Sequence, residues 1–272
     1  MDEKQQTFLE MNLSEFEMNL IDLPELSIII HYRRDCEDRE FNLKTLLKFI
    51  DDHFTVNDIV LVNDDKEFEK SLKLIIPEVI NNVKLMFVEN DDEFMKSYSF
   101  NRGAEHATGS VFAFWDVDVL IDPKYIEKSY NIIVDGLYDH VYPFNGYFVA
   151  VEKLTFPKFL PKYDFEFLLG ELQDRTLGYH NEYVAIGSNI SPGGCNLISR
   201  SAFNKIGGYD ERFIGWGFED TDFIQRSRKV NKVIHLDDFD AICWHLHHDN
   251  SKRLENPHYQ NNIQIYNENN LK

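Results

Sequence analysis

Two aspartates one residue apart, Asp116 and Asp118, close the apolar run VFAFWDVDVLIDP at 111–123. Carboxylates that close repel each other and lose water at the edge of a core unless a cation sits with them. Oxygen ligands suit a hard divalent ion such as Mn²⁺ or Mg²⁺, which also accepts phosphate oxygens. In an extended strand end, alternate residues share a face, so both carboxylates can address one ligand. The plain alternative is a solvated turn.

Three further clusters have side chains that could join such chemistry. In GWGFEDTDF (215–223), Gly215 and Gly217 flank Trp216, and Glu219, Asp220 and Asp222 open a helical stretch. Acids at a helix start complement its dipole; they could equally form a polar acceptor site in which one carboxylate takes a proton from an attacking hydroxyl. Trp216 could stack on the apolar face of a sugar or simply fill the core. In WHLHHDN (244–250), His245 and His247 alternate and could share a face, with His248 pointing away. One of these imidazoles could complete a metal site, and all could be surface residues. Arg33 and Arg34 in HYRRD and Arg102 in SFNRGAEHATG offer guanidinium forks for phosphate, or partners for neighbouring acids such as Asp35 and Glu37.

Placing these residues requires a particular scaffold. ELSIIIHY (25–32), DIVLVND (58–64), VKLMFVE (83–89) and SVFAFWD (110–116) read as short strands. Helical patterns lie between them at 39–54, at 66–80 with Pro77 interrupting, and at 93–109 with Gly109 as its end. The alternation predicts an α/β fold: a mostly parallel sheet, helices on both faces, ligands at the carboxyl ends of the strands. Tyr32 to Arg34, Asn63 to Asp65, and the Asp116/Asp118 pair all fall at such ends. KVIHL and AICWHL add short strands in a less regular second half, and residues 142–192 hold glycines that suit a mobile covering loop.

Composition narrows the classes. The 272 residues carry 28 Lys plus Arg against 47 Asp plus Glu, a net charge of −19 that repels nucleic acid. Three scattered cysteines form no disulfide framework and suit a reducing compartment. An acidic start without an apolar stretch, and no run near ~18 residues of apolar sequence, predict no signal peptide and no transmembrane segment. The expectation is a cytoplasmic protein, with a peripheral place at the inner membrane face left open.

The order of HYRRD, FNRGAEHATGSVFAFWDVDV, GGCNLISRSAFNKIGGYDERFIGWGFEDTDFIQR and HLHH resembles the nucleotide-sugar glycosyltransferases of the GT-A fold. Within them the chain looks most like the galactosyltransferase-like group, which holds β-1,4-galactosyltransferases, chondroitin polymerases and polypeptide N-acetylgalactosaminyltransferases. The resemblance implies a GT-A type, Rossmann-like domain over 25–250. Its nucleotide-binding half would be 25–120 and its smaller acceptor-binding half 121–250, between an acidic extension (1–24) and a polar tail (251–272). It implies a UDP-sugar donor, a carbohydrate acceptor and Mn²⁺ or Mg²⁺. Asp118 would bind the metal, with His247 favoured as a further ligand because HHDNSKRLENP resembles the family's stretch after that histidine, and His245 second. Asp116 would face the donor ribose or metal-bound water. Arg33 and Arg102 would contact the nucleotide or its diphosphate, and Asp64 the uracil. Trp216 would wall the junction of donor and acceptor, Glu219 would hold the acceptor, and Asp220 would be the base of an inverting displacement.

The chain departs from that pattern at Phe218, where relatives often carry a second glycine, and in HYRRD, which replaces a loop more often begun by proline. A nucleotidyltransferase is the nearest rival, but SIIIHYRRDCEDRE has no glycine with which to cradle phosphates. A non-catalytic nucleotide-sugar-binding protein would be expected to have lost the acid pairs, which are intact. A metal-dependent hydrolase would not need Trp216.

Overall fold

A computed structural model describes residues 20–34, 36–65, 72–73, 76, 80, 83–88, 93–173, 191–249 and 256–271. In chain order its elements are β1 (Ile21–Tyr32), α1 (Glu37–His53), β2 (Phe54–Asn63), β3 (Val83–Phe87), α2 (Lys96–His106), β4 (Val111–Asp116) and β5 (Val119–Leu120). They continue as α3 (Pro123–Val134), β6 (His140–Tyr142), β7 (Phe148–Val151), α4 (Phe156–Phe159), α5 (Phe165–Gln173), β8 (Cys195–Ser199) and α6 (Arg200–Ile206). The last are α7 (Glu219–Arg228), β9 (Val233–His235), β10 (Cys243–Leu246) and α8 (Tyr259–Asn270). Most of the helix expected at 66–80 lies outside the described residues.

Seven strands form the main sheet in the order β3-β2-β1-β4-β8-β6-β9. The first four run parallel, β8 is antiparallel to both neighbours, and β6 and β9 are parallel. A small second sheet, β5-β10-β7, carries the carboxyl end of β10 past the end of β4. The α/β architecture expected from the alternating pattern is therefore present.

Burial of both faces explains the apolar runs. Ile28, Ile30 and Tyr32 of β1 join the core formed with Leu43, Leu46, Leu47 and Ile50 of α1. Ile29, between them, enters the opposite core with Phe100 and Ala104 of α2 and Phe223 of α7. The period of two thus sends alternate residues into two separate cores.

Three expectations shift. Helix α2 ends at His106 with Ala107 as its cap. Gly109 instead lets the turn press against β1, since a Cβ there would collide with the Glu25 carbonyl and stand 2.9 Å from the Ser27 nitrogen. Strand β1 begins at Ile21, within the segment read as an extension. Residues 259–270, read as polar tail, form α8 packed on α7. Its inward face is mostly asparagine: Asn262 is fully buried beside Ile265, and Asn269 and Asn270 donate to Asp222 at 2.9 Å each. A face stabilised by amides leaves no hydrophobic periodicity to read.

Candidate active site

The carboxyl ends of β1, β2, β4 and β10 and the start of β8 meet at one edge of the molecule. Strand β4 stops at Asp116, and the chain turns through 117–118 before β5. The Trp115 indole donates to the Val119 carbonyl at 2.9 Å, and the Leu246 nitrogen to the Asp118 carbonyl at 2.8 Å, so the turn is fixed from both sides. The turn breaks strand alternation, and the two aspartates therefore face different partners.

Asp118 is buried with His245 and His248, and one ligand atom from each lies within 4.8 Å of the others. Its Oδ2 stands 2.9 Å from His248 Nε2, 3.4 Å from His245 Nε2 and 2.6 Å from Arg39 Nη1. His247 is not among them: it is 39% exposed, 3.1 Å from Glu152. The expectation that His247 points inward and His248 away is thus reversed, because β10 ends at Leu246 and the alternation ends with it. His245, still in the strand, does face Asp118.

The donor set suits a divalent cation. Burial pushes His245 down from its ordinary pKa and so favours its neutral, ligating form. His248 Nδ1 lies 3.1 Å from the Asp249 carbonyl, which can only accept, so that nitrogen carries the hydrogen. The lone pair of a neutral His248 is then on Nε2, facing the Asp118 carboxylate; a proton or a cation must stand between them. Burial pushes the Asp118 carboxyl up, but Arg39, His245 and His248 outweigh it and hold it well below the usual carboxylate range.

Asp116 joins a second cluster. Lys96, at the first turn of α2 and 7% exposed, places its Nζ 2.8 Å from Asp116 Oδ1 and 2.8 Å from Asp220 Oδ2. Asp116 also accepts from the Gly194 nitrogen at 3.2 Å, which ties the end of β4 to the start of β8. Glu219 is buried and accepts from the Gly217 nitrogen at 2.8 Å. Burial raises Asp220, Glu219 and Asp116 raise it further, and Lys96 opposes them; the carboxyl is pushed up to about 7. Lys96 loses water too, yet Asp116 and Asp220 raise its pKa and keep it charged. Asp222 stands apart, bound to Arg226 at 2.6 Å and to α8.

The remaining expected residues divide. Asp64 is buried at the end of β2, 3.0 Å from His31 Nε2 and 3.8 Å from Arg33 Nη1, and Arg33 also donates to the Glu93 carbonyl at 3.0 Å. Arg102 does not reach this edge: it pairs with Glu105 and Glu211 at 2.8 and 3.3 Å on the outer side of α2. Trp216 is partly exposed beside the start of α7. Sequence reasoning missed Lys96, Arg39, His31 and His248. A lysine in the first turn of a helix opposes the helix dipole, and that local conflict was the available signal for Lys96.

The sequence profile of the family described as "Glycosyltransferase like family 2" matches residues 27–251, well over half of the chain. The chain belongs to this family. A glucosyl-dolichyl phosphate glucuronosyltransferase of Haloferax volcanii is 35% identical over 123 residues, covering 44% of this chain and 36% of that relative. Two crystal structures of S. aureus TarS, residues 1–349, are also similar, each at 13% identity. One has a TM-score of 0.52, with 82% of this chain and 60% of that one aligned. The other, in complex with UDP-GlcNAc, has a TM-score of 0.58, with 89% and 65% aligned. At that identity the likeness is one of fold, and it supports a GT-A architecture for this family member. The chain spans about a third of the curated relative and under two thirds of the TarS chains. No helix among the described residues is long and apolar enough to cross a membrane.

Proposed function

We propose that this protein transfers a sugar from a UDP-sugar to a glycan hydroxyl, with metal dependence and inversion at C1, in the manner of the galactosyltransferase-like group. The observation that carries the reading is the pairing of two clusters at one sheet edge. Asp118, His245 and His248 form a cation site, and the half-buried Asp116 and Asp220 share the buried Lys96 ammonium beside it. The family and the UDP-GlcNAc complex of TarS support the donor class.

In this reading Asp64 and Arg33, at the ends of β2 and β1, bind the uridine. Two imidazoles and a carboxylate fit Mn²⁺ better than Mg²⁺, which prefers an all-oxygen shell. When bound, the ion neutralises charge on the diphosphate as it leaves. Asp220 takes the proton of the acceptor hydroxyl while its oxygen bonds to C1. The bond from C1 to the diphosphate breaks on the opposite side, and its electron pair departs with UDP. Lys96 holds Asp220 through Oδ2, and among the described residues no hydrogen bond occupies Oδ1. Glu219 and Trp216 line the acceptor side.

Thermal unfolding with UDP, Mn²⁺ and both together tests the donor site. A ligand at ~100 times its Kd adds about 2.7 kcal/mol, a readily visible shift. The expected result is a large shift that needs both components, is lost in Asp118→Asn and His248→Ala, and survives in His247→Ala. A shift with another nucleotide but not UDP would overturn the reading in favour of a nucleotidyltransferase.

Gly193 supplies a second prediction. A Cβ there would stand 2.7 Å from Asp220 Oδ2, the oxygen held by Lys96. Gly193→Ala must therefore displace the carboxylate. Misplacement by about 1 Å costs up to about 10² in rate, so turnover is expected to fall by about that factor with UDP affinity unchanged. Unchanged turnover would remove Asp220 from the reacting position.

A further inference from the structure

Residues 256–262 lie beyond the stretch the family profile matches, yet they are fitted into the loop that carries Trp216. A Cβ on Gly215 would collide with the side-chain amide of Asn256, and one on Gly217 would stand 2.9 Å from the Tyr259 ring. Both glycines have positive φ, +68° and +120°. The glycines on either side of Trp216 therefore make room for two side chains of one later segment.

Hydrogen bonds reinforce the fit. Asn256 Nδ2 donates to the Trp216 carbonyl at 2.6 Å. Asn262, fully buried, donates to the carbonyls of Ile214 at 3.0 Å and Gly217 at 3.1 Å. Loop carbonyls with fixed donors are not free to reorient. The Tyr259 ring lies nearly parallel to Trp216, centroids 6.2 Å apart and planes at 13°. Tyr259 is 37% exposed and Trp216 partly so, three residues before the buried Glu219 and four before Asp220.

A lone partly exposed tryptophan offers one sugar-sized apolar face. Two near-parallel rings with centroids 6.2 Å apart, both partly exposed and held by these three loop contacts, offer more apolar surface than one. We propose that Tyr259 is the second ring of an acceptor platform begun by Trp216, and that the platform selects a glycan acceptor of at least two linked sugar units. The proposal rests on the glycosyltransferase reading for the word acceptor, but not for the binding itself.

Tryptophan fluorescence tests it directly. Trp115 and Trp244 are essentially unexposed, so a glycoside that reaches the platform perturbs Trp216. The probes are p-nitrophenyl-free methyl glycosides of glucose, galactose and N-acetylglucosamine, each as monosaccharide and as β-linked disaccharide, with Trp216→Phe as the control. The expected result is a saturable change with a disaccharide that binds more tightly than its monosaccharide. Tyr259→Ala and Tyr259→Leu should weaken the disaccharide about ten-fold, as loss of one stacked ring implies, and erase its advantage. Tyr259→Phe should keep it. UDP with Mn²⁺ should stabilise the Tyr259 variants as it does the wild type, which shows that they are folded. Disaccharide binding unchanged in Tyr259→Ala, or no response of Trp216 to any of these glycosides in a protein that binds UDP, overturns the proposal. Glycoside binding that depends on Tyr259 in a protein blind to UDP would instead sink the transferase reading and leave the platform standing.

Discussion

Asp220→Asn is expected to lower kcat by about 10² to 10⁴, the usual worth of a positioned general base. Affinity for UDP with Mn²⁺ should be preserved, because the proposed cation site draws on Asp118 and the two histidines and not on Asp220. The pH profile gives the sharper test. Burial first, then Glu219 and Asp116, push the Asp220 carboxyl up to about 7 against the pull of Lys96. Below that value the base is protonated, so kcat/KM should fall about ten-fold for each unit of pH. The limb should vanish in the asparagine variant. A wild-type rate that is flat from about pH 5 to 8 would remove Asp220 as the base. Stability should run the other way. A folded-state pKa above the ordinary value near 4 means the folded protein holds a proton the unfolded chain releases. Its contribution is full below about 4 and is lost as pH rises to about 7. The form able to accept the proton is the less stable one.

Lys96→Met should be the most damaging single change to stability in the site. It removes the buried ammonium 2.8 Å from both Asp116 and Asp220 and leaves those half-buried acids to repel one another and the buried Glu219. Breaking a buried pair by deleting one partner costs about 3–5 kcal/mol. The sign with pH follows. Without the ammonium the folded-state pKa values of Asp220 and Glu219 rise further above their unfolded values, so the variant gains stability on acidification. Chemical denaturation at about pH 5 and about pH 8 should show the deficit larger at the higher value. Equal stability of variant and wild type at the higher pH would mean the three acids do not depend on Lys96.

The first half of the chain was legible because β1, β2 and β4 are buried on both faces and the helices between them are amphipathic. Asp116, Asp118, Glu219, Asp220 and His245 all come to one edge. What the sequence hid were side chains whose placement depends on irregular backbone. Alternation paired His245 with His247, but it holds only while β10 lasts, and His248 folds back in the loop beyond. Lys96 and Arg39 look like ordinary polar residues of helix first turns, and only the tertiary structure brings them to the carboxylates. Arg102 shows the converse: a guanidinium in a recognisable motif lies on the outer side of its helix and pairs with acids there. Helix α8 was invisible because its buried face is mostly amides.

The antiparallel strand β8 has a consequence for how such a protein can change. Trp115 of β4 and Cys195 of β8 are partners in the sheet, although the chain travels through β5, α3, β6, β7, α4 and α5 between them. That excursion leaves and returns at adjoining strands. Its two ends are pinned by the Asp116–Gly194 hydrogen bonds whatever lies between. Lengthening or shortening the loops between its elements costs little, about 0.6 kcal/mol for each doubling of a flexible loop. Insertions and deletions there can remodel what approaches the carboxylate edge while β1, β2 and β4 keep their register.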